Sequence, residues 1–320
     1  MSSVTAVVMA AGEEIPALMD RLERRMATLA DGHGPVLARH AGDTLAAGGK
    51  RLRPLLVFLA AGVPPPTGDG IVRSAVAVEL VHGATLVHDD VLDGAALRRG
   101  RPTVVAAGGR LLATAAGDLL FSRAFAELAG SGSAEPVRVL SGATSELARG
   151  ELMQRADAWN PEVTLKRYLE RCRLKTAVLF RAACELGALE ADGPVNLLGG
   201  FGEQIGVAFQ ILDDVLDVSG PPERTGKARG TDLLDGTVTL PLILARARDP
   251  ELAALDPRTI RTPADADGVC ERIAATGALE VAKARALELV AGAKQALPAL
   301  PERQRAALEL VADGVVERYA

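Results

Sequence analysis

The sequence has few aromatic residues, few cysteines and no long uncharged apolar run. Aromatic side chains make up 3% of the 320 residues. Because β-sandwich and β-barrel cores are rich in aromatic and β-branched residues, this shortage favours a helical core of Ala, Leu and Val. The cysteines are widely spaced, so neither a disulfide framework nor a zinc ribbon is expected, and we predict three buried thiols in a reducing compartment. They are Cys172, Cys184 and Cys270.

Charge and hydropathy exclude further classes of protein. The formal net charge is −5 and the sequence pI is about 5.6, which argues against a nucleic-acid-binding protein. No uncharged apolar stretch approaches the ~20 residues that a transmembrane helix needs. The first residues lack the basic segment of an export signal. We therefore expect a cytoplasmic protein without a transmembrane segment.

Apolar residues recur at helical spacing along the chain, interrupted by Gly and Pro. No alternation of strands and helices is visible, and no GxGxxG follows a strand-like run. The simplest prediction is an all-α protein with a single domain over residues 1–320. The predicted helices cover roughly 12–30, 35–47, 53–63, 70–93, 108–129, 135–156, 162–190, 194–218, 238–248, 268–296 and 301–319.

One local pattern, DDxxD, occurs twice, each time after a strongly apolar helical segment. The two clusters are Asp89, Asp90 and Asp93, and Asp213, Asp214 and Asp217. Carboxylates at i and i+4 share a helix face and repel each other, and near a helix C-terminus they also oppose the macrodipole. A bound hard cation would offset this cost, and a cluster of oxygen ligands alone suits Mg²⁺ better than zinc.

Two basic segments accompany the aspartates. GGKRLRP starts at Gly48 and LRRGRPT starts at Leu97, a few residues after the first cluster. Mg²⁺ held by a few carboxylates completes its shell with water and substrate phosphates, while Arg and Lys bind phosphate oxygens. Together the acidic and basic segments predict a site for a metal-bridged diphosphate.

These motifs resemble those of the trans-isoprenyl diphosphate synthases, the polyprenyl synthetase family, especially its medium- and long-chain bacterial members. The resemblance covers about residues 45–245 and rests, in order, on GGKRLRP, VELVHGATLVHDDVLDGAALRRGRPT, the pair Lys175-Thr176, GVAFQILDDVLD and GKARGTDLLDGTVTLP. It implies a helical bundle around a hydrophobic tunnel and a homodimer. It also implies a prenyltransferase that joins isopentenyl diphosphate head to tail to an allylic diphosphate, using two or three Mg²⁺ ions per site.

The resemblance also implies a role for each matching residue. The Mg²⁺ ligands would be Asp89, Asp93 and Asp213, supported by Asp90, Asp214 and Asp217. The allylic diphosphate would be held by Arg98, Lys175 and Lys227. Isopentenyl diphosphate would be held by Lys50, Arg53, His82 and Arg99. The reacting carbons would be lined by Thr176 and Gln210.

Product length depends in this family on the residues one turn before the first aspartates. Here these are Ala84 and Thr85, both small, followed deeper by Val81, Leu80 and Ala77. An open tunnel predicts a product of about C30 to C40. The alternative is a floor formed by Phe121 or Phe125 on another helix, which would give a geranylgeranyl (C20) product.

Three other interpretations fit the sequence less well. A class I terpene cyclase would carry a different second metal motif, and a di-iron bundle would need a second pair like Glu79 and His82. A non-catalytic subunit of a heteromeric synthase would tend to have lost the aspartates, whereas all six are present. Thr237 departs from the family, because many relatives have a lysine there. Either diphosphate binding on that side is weaker or Lys227 suffices, and in both cases we expect an active enzyme.

Overall fold

The computed structural model describes residues 7, 11–31, 34–46, 49–98, 100–130, 132–220 and 229–317. It confirms the predicted all-α fold. The α-helices are Glu14–Asp31 (α1), Pro35–Ala46 (α2), Leu52–Ala60 (α3), Asp69–Asp93 (α4), Val104–Ala129 (α5), Ala134–Asp157 (α6), Leu165–Cys172 (α7), Val178–Leu189 (α8), Val195–Ser219 (α9), Thr231–Leu234 (α10), Leu240–Arg246 (α11), Pro250–Ala254 (α12), Pro263–Ala275 (α13), Ala278–Gln295 (α14) and Glu302–Glu317 (α15).

Short elements of other kinds complete the described structure. A π-helical turn, Arg173–Ala177, joins α7 to α8, and a 3₁₀ turn covers Pro257–Thr259. Strands Leu97–Arg98 (β1) and Arg101–Pro102 (β2) pair antiparallel directly after α4. This hairpin was not predicted, because two-residue strands leave no periodic signal in a sequence.

The packing of the chain divides it into two compact units. Unit 1 contains Met1–Thr144, Leu179–Gly202 and Leu297–Val311, and unit 2 contains Ser145–Val178, Glu203–Ala296 and Ala312–Ala320. The first aspartate cluster and both basic segments belong to unit 1, and the second aspartate cluster belongs to unit 2. The single domain over residues 1–320 stays a prediction.

Two of the predicted helices are interrupted. The predicted helix 268–296 is in fact α13 and α14, separated at Gly277, which has φ 71° and ψ 16°. Glycine populates this left-handed region without the penalty that a Cβ brings. The predicted helix 162–190 contains the π-helical turn. The turn was missed because a single extra residue hardly disturbs the apolar periodicity of a helix.

Two helices in the described part of the chain, α4 and α5, combine great length with high hydropathy. By length and hydropathy either could cross a membrane, but 72% of the qualifying window in α4 is buried inside the protein, against 28% in α5. Helix α4 is thus a core helix, with Leu80, Val81 and Ala84 fully buried. The three cysteines are free and buried, as predicted.

Candidate active site

The first aspartate cluster occupies the last turns of α4 in unit 1. Asp90 is buried, with 4% of its surface exposed; its Oδ1 accepts a hydrogen bond from Arg98 Nε at 2.9 Å and forms an ion pair with Arg98 Nη2 at 2.8 Å. Asp93 is exposed and Asp89 is half-buried. Gly94, at φ 62°, ends the helix immediately after the cluster. The contact with Asp90 therefore ties Arg98, the predicted diphosphate ligand, to the helix that carries the predicted metal ligands.

The basic segment at the start of α3 contains a cation, Arg53, with an unsatisfied donor. The Arg53 guanidinium lies 4.7 Å from the centre of the Phe180 ring, and its buried Nε has no hydrogen-bond partner. Burial lowers the pKa of Arg53 to about 10, although the nearby carboxylate of Glu79 opposes the shift. A buried donor that the protein does not satisfy fits a site for an anion. Lys50 is exposed, and His82 is half-buried in α4.

Residues next to the first cluster connect α4 to α5. The ring of His88 lies 5.7 Å from that of Phe121, and His88 Nε2 is 3.4 Å from both the Thr114 carbonyl oxygen and Asp118 Oδ1. His88 thus contacts the neighbouring helix. Thr85 Oγ1 donates to the His82 carbonyl oxygen at 2.8 Å. Ala84 is fully buried, and its predicted role in product length stays a prediction.

The second aspartate cluster lies on α9 in unit 2 and repeats this arrangement. Asp214 is 3% exposed and accepts hydrogen bonds from the Tyr168 hydroxyl at 2.6 Å and Gln210 Nε2 at 2.7 Å. Burial raises the pKa of Asp214 to about 7, against the two hydrogen bonds. Asp213 is exposed. The carboxylate of Asp217 accepts the backbone N–H groups of Thr231 and Asp232, each at 3.2 Å.

The predicted pair Lys175-Thr176 lies on the π-helical turn. Thr176 Oγ1 donates to Gln210 Oε1 at 2.6 Å, so a chain of hydrogen bonds runs from Thr176 through Gln210 to Asp214. Lys175 Nζ pairs with Glu151 Oε2 of α6 at 2.5 Å. Single π-turns inside helices occur frequently at functional sites, because the extra residue re-aims the side chains around it.

A small cavity of about 60 Å³ lies in unit 2 and is lined in part by Lys175, Thr176, Gln210 and Asp214. Sequence reasoning identified Lys175, Thr176, Gln210 and Asp214 there, and the cavity also reaches Thr237, the position that departs from the family. The lining residues that it missed share no motif with the aspartates. They are Gln154, Tyr168, Arg171, Cys172, Asp232 and Thr239. The signal that could have singled out Tyr168 was rarity, because the chain contains only 2 tyrosines.

The donors suit a hard cation. Within the described ranges, no three Asp, Glu, His or Cys side chains converge into a ready-made metal cluster. The aspartates offer carboxylate oxygens only, and Asp90 and Asp214 are already bound by protein donors. Such a set fits Mg²⁺, which takes few carboxylates and fills its shell with water and phosphate oxygens. Two predicted ligands, Arg99 and Lys227, lie outside the described residues.

Comparison with known proteins decides the family. The family model "Polyprenyl synthetase" matches residues 35–275. The chain belongs to the polyprenyl synthetase family. The synthase is 41% identical over 274 residues to heptaprenyl diphosphate synthase component 2 of Geobacillus stearothermophilus, with 84% of each chain covered. It is 36% identical over 282 residues to geranylgeranyl diphosphate synthase of Methanosarcina mazei, covering 85% of this chain and 86% of that protein.

A solved structure agrees with this assignment. A polyprenyl synthase from Caulobacter crescentus, crystallised with calcium and isoprenyl diphosphate, superposes with a TM-score of 0.93 at 36% identity, covering 100% of this chain and 99% of that chain. The predicted family, the all-α fold and the enzyme class are confirmed. The chain is a prenyltransferase, a trans-polyprenyl diphosphate synthase.

Proposed function

We propose that the synthase condenses isopentenyl diphosphate head to tail with an allylic diphosphate, in a reaction that depends on Mg²⁺. The observation that carries this proposal is the repeated aspartate cluster, each copy accompanied by cations suited to phosphate: Arg98 and Arg53 in unit 1, and Lys175 in unit 2. The Caulobacter structure, with calcium and isoprenyl diphosphate bound, supports a divalent metal and a diphosphate ligand in this family.

The assignment of residues follows from the matching family positions and from exposure. We assign Mg²⁺ to Asp89, Asp93 and Asp213, which match the metal-binding positions of the family and are more exposed than the buried Asp90 and Asp214. Asp217, which caps α10, supports them. When bound, Mg²⁺ neutralises the charge that builds up on the departing pyrophosphate.

The basic residues bind the two diphosphates. We assign Arg98, Lys175 and Lys227 to the allylic diphosphate and Lys50, Arg53, His82 and Arg99 to isopentenyl diphosphate. For Lys175 this means exchanging its ion pair with Glu151 for a phosphate oxygen. Thr176 and Gln210, fixed by their mutual hydrogen bond, line the reacting carbons. The isopentenyl double bond attacks the allylic cation, and the released pyrophosphate takes the proton, so the chain needs no dedicated base.

For the product we propose a length of about C30 to C40. The support is the small size of Ala84 and Thr85 before the first aspartates, with Val81, Leu80 and Ala77 further along α4. The relationship to a heptaprenyl synthase component supports a long product, whereas the geranylgeranyl relative keeps the C20 alternative open.

An Ala84→Phe variant tests this length. A phenyl ring at this fully buried position should fill the tunnel one turn from the aspartates and shorten the product to C20 or less. Products are sized by mass spectrometry, with the first condensation rate as the control for folding. Unchanged length would place the floor elsewhere, and Phe121→Ala and Phe125→Ala would then lengthen the product.

The activity itself is tested on the purified chain alone. It is incubated with isopentenyl diphosphate, Mg²⁺ and dimethylallyl, geranyl or farnesyl diphosphate, and the products are sized by mass spectrometry. A Mg²⁺-dependent ladder ending at C30 or beyond supports the proposal, and a ladder ending at C20 supports a geranylgeranyl synthase. No product with any starter would favour a non-catalytic subunit of a heteromeric enzyme, an alternative that the name "component 2" of one relative keeps in view.

We further propose that a second copy of the chain covers α5 and that the enzyme works in the cytoplasm as a homodimer. Helix α5 passes the hydropathy test for a membrane helix, yet only 28% of its apolar window is buried, and Leu111 is 86% exposed. A large exposed apolar surface rimmed by polar residues is typical of an interface. Light scattering on the purified chain gives its oligomeric state, and a monomeric mass would refute the homodimer.

A further inference from the structure

Glu79 belongs to the Glu79–His82 pair that stands out in the sequence and has no role in the proposed reaction. In the structure Glu79 lies on α4 with 6% of its surface exposed. Its Oε1 accepts a hydrogen bond from Arg51 Nη1 at 2.7 Å, and its charge also acts on Arg53. A buried carboxylate therefore faces the basic segment that is assigned to isopentenyl diphosphate.

Arg51, the middle cation of that segment, is occupied by contacts within the protein. Its Nε and Nη2 donate to the two carboxylate oxygens of Glu23 at 2.7 and 3.1 Å, and Nη2 also donates to the Leu45 carbonyl oxygen at 2.7 Å. With Glu79, every guanidinium nitrogen has a partner. These partners lie on α1, α2 and α4, so one side chain fixes the start of α3 against three helices, all within unit 1.

The backbone of Arg51 shows why such a fixing contact is needed. It has φ 46° and ψ 39°, the left-handed region that residues with a Cβ rarely adopt, immediately before Leu52 begins α3. Conformations of this kind persist only where surrounding contacts hold them. Here the contacts are those of the Arg51 side chain, and the conformation they hold determines how the chain runs from Lys50 to Arg53.

We propose that Glu79 is a positioning residue for isopentenyl diphosphate. It acts through Arg51, which it holds in the left-handed conformation, and so fixes the Lys50–Arg53 segment that binds the diphosphate. This inference rests on the proposed function. A positioning role and a simple counter-ion role predict opposite changes in the affinity for isopentenyl diphosphate when Glu79 is removed. Removing a mere counter-ion would make the site more positive and tighten anion binding, whereas removing a positioning residue weakens it.

The test compares Glu79→Gln, Arg51→Gln and the double variant with a matched control, Glu127→Gln. Glu127 is 4% exposed and pairs with Arg25 Nε at 2.5 Å, so its carboxylate is as buried as that of Glu79, in an arginine–glutamate pair of the same unit that includes no residue of the basic segment. Calorimetric titration with isopentenyl diphosphate alone measures binding without turnover, and steady-state kinetics give the KM of each substrate.

We expect Glu79→Gln to weaken isopentenyl diphosphate binding by about tenfold, since small displacements of binding groups cost up to ~10²-fold. The KM of the allylic substrate should stay within about twofold. Because Glu79 acts through Arg51, the double variant should bind no more weakly than Arg51→Gln. Glu127→Gln should lower the melting temperature as Glu79→Gln does and leave binding of isopentenyl diphosphate unchanged.

Tighter or unchanged binding in Glu79→Gln, or additive losses in the double variant, would overturn the inference. An equal loss of affinity in Glu127→Gln would also overturn it, since the effect would then be general destabilisation. Failure of the proposed function looks different, because the unmodified chain would then neither bind isopentenyl diphosphate nor form product.

Discussion

Gly150 is the position where a single methyl group should affect both stability and the site. It lies on α6, and a Cβ there would meet the backbone of the π-helical turn: the nitrogen of Lys175 at 2.6 Å, the carbonyl carbon of Leu174 at 2.8 Å and Cα of Lys175 at 2.9 Å. Ordinary contacts begin at 3.4 Å. Because the atoms that it meets are backbone, a Gly150→Ala variant must displace the turn or the helix by about 0.8 Å.

The expected magnitude combines two opposing effects. Alanine is a better helix former than glycine by ~0.5–1 kcal/mol, whereas overpacking a close contact costs ~1–3 kcal/mol. These ranges combine to a net loss of about 0–2.5 kcal/mol in the free energy of unfolding of Gly150→Ala, with a midpoint of about 1 kcal/mol. Since the displaced turn carries Lys175 and Thr176, kcat/KM for the allylic substrate should fall by about tenfold or more.

Gly268→Ala is the matched control, because it makes the same substitution within a helix of the same unit. Gly268 lies on α13, and a Cβ added there would meet no atom within 4 Å, so the variant should gain ~0.5–1 kcal/mol of stability without any change in kinetics. Urea denaturation and steady-state rates measure both variants. If Gly150→Ala were as stable as Gly268→Ala, with an unchanged allylic KM, the close approach of α6 to the turn would be refuted.

Two further predictions concern the buried carboxyl group of Asp214. In both, the free energy of unfolding is measured by urea denaturation with a chelator present. Tyr168→Phe leaves it one donor short and should cost ~1–3 kcal/mol; an unchanged free energy of unfolding would contradict the hydrogen bond. Because burial raises the pKa of Asp214 to about 7, the protonated form adds stability that is complete below about pH 4 and is lost as the pH rises through 7. Asp214→Asn should remove this dependence, at most ~1.4 kcal/mol per pH unit; equal slopes for both proteins would contradict the raised pKa.

The sequence was sufficient for most of the long helices and for the acidic and basic motifs, because both are local patterns, but it did not predict the short helices α10 and α12. Helical periodicity depends on neighbouring residues, and the aspartates of each DDxxD share a face through helix geometry alone. The partners of these groups could not be predicted, since they come from distant segments: Tyr168 reaches Asp214 across 46 residues, and Glu79 reaches Arg51 across 28. The break at Gly277 was missed because the apolar pattern continues across it.

The aspartates within each DDxxD differ in burial and in their partners. In both copies the second aspartate is buried, Asp90 at 4% and Asp214 at 3% exposure, and is bound by a side chain from its own unit, Arg98 or Tyr168. The aspartate before it is more exposed in each case. A carboxylate without a partner would not stay buried, because desolvation would favour its protonated form. The second position is therefore the anchor of each cluster, and in the proposed function Asp89, Asp93 and Asp213 present oxygens to a cation.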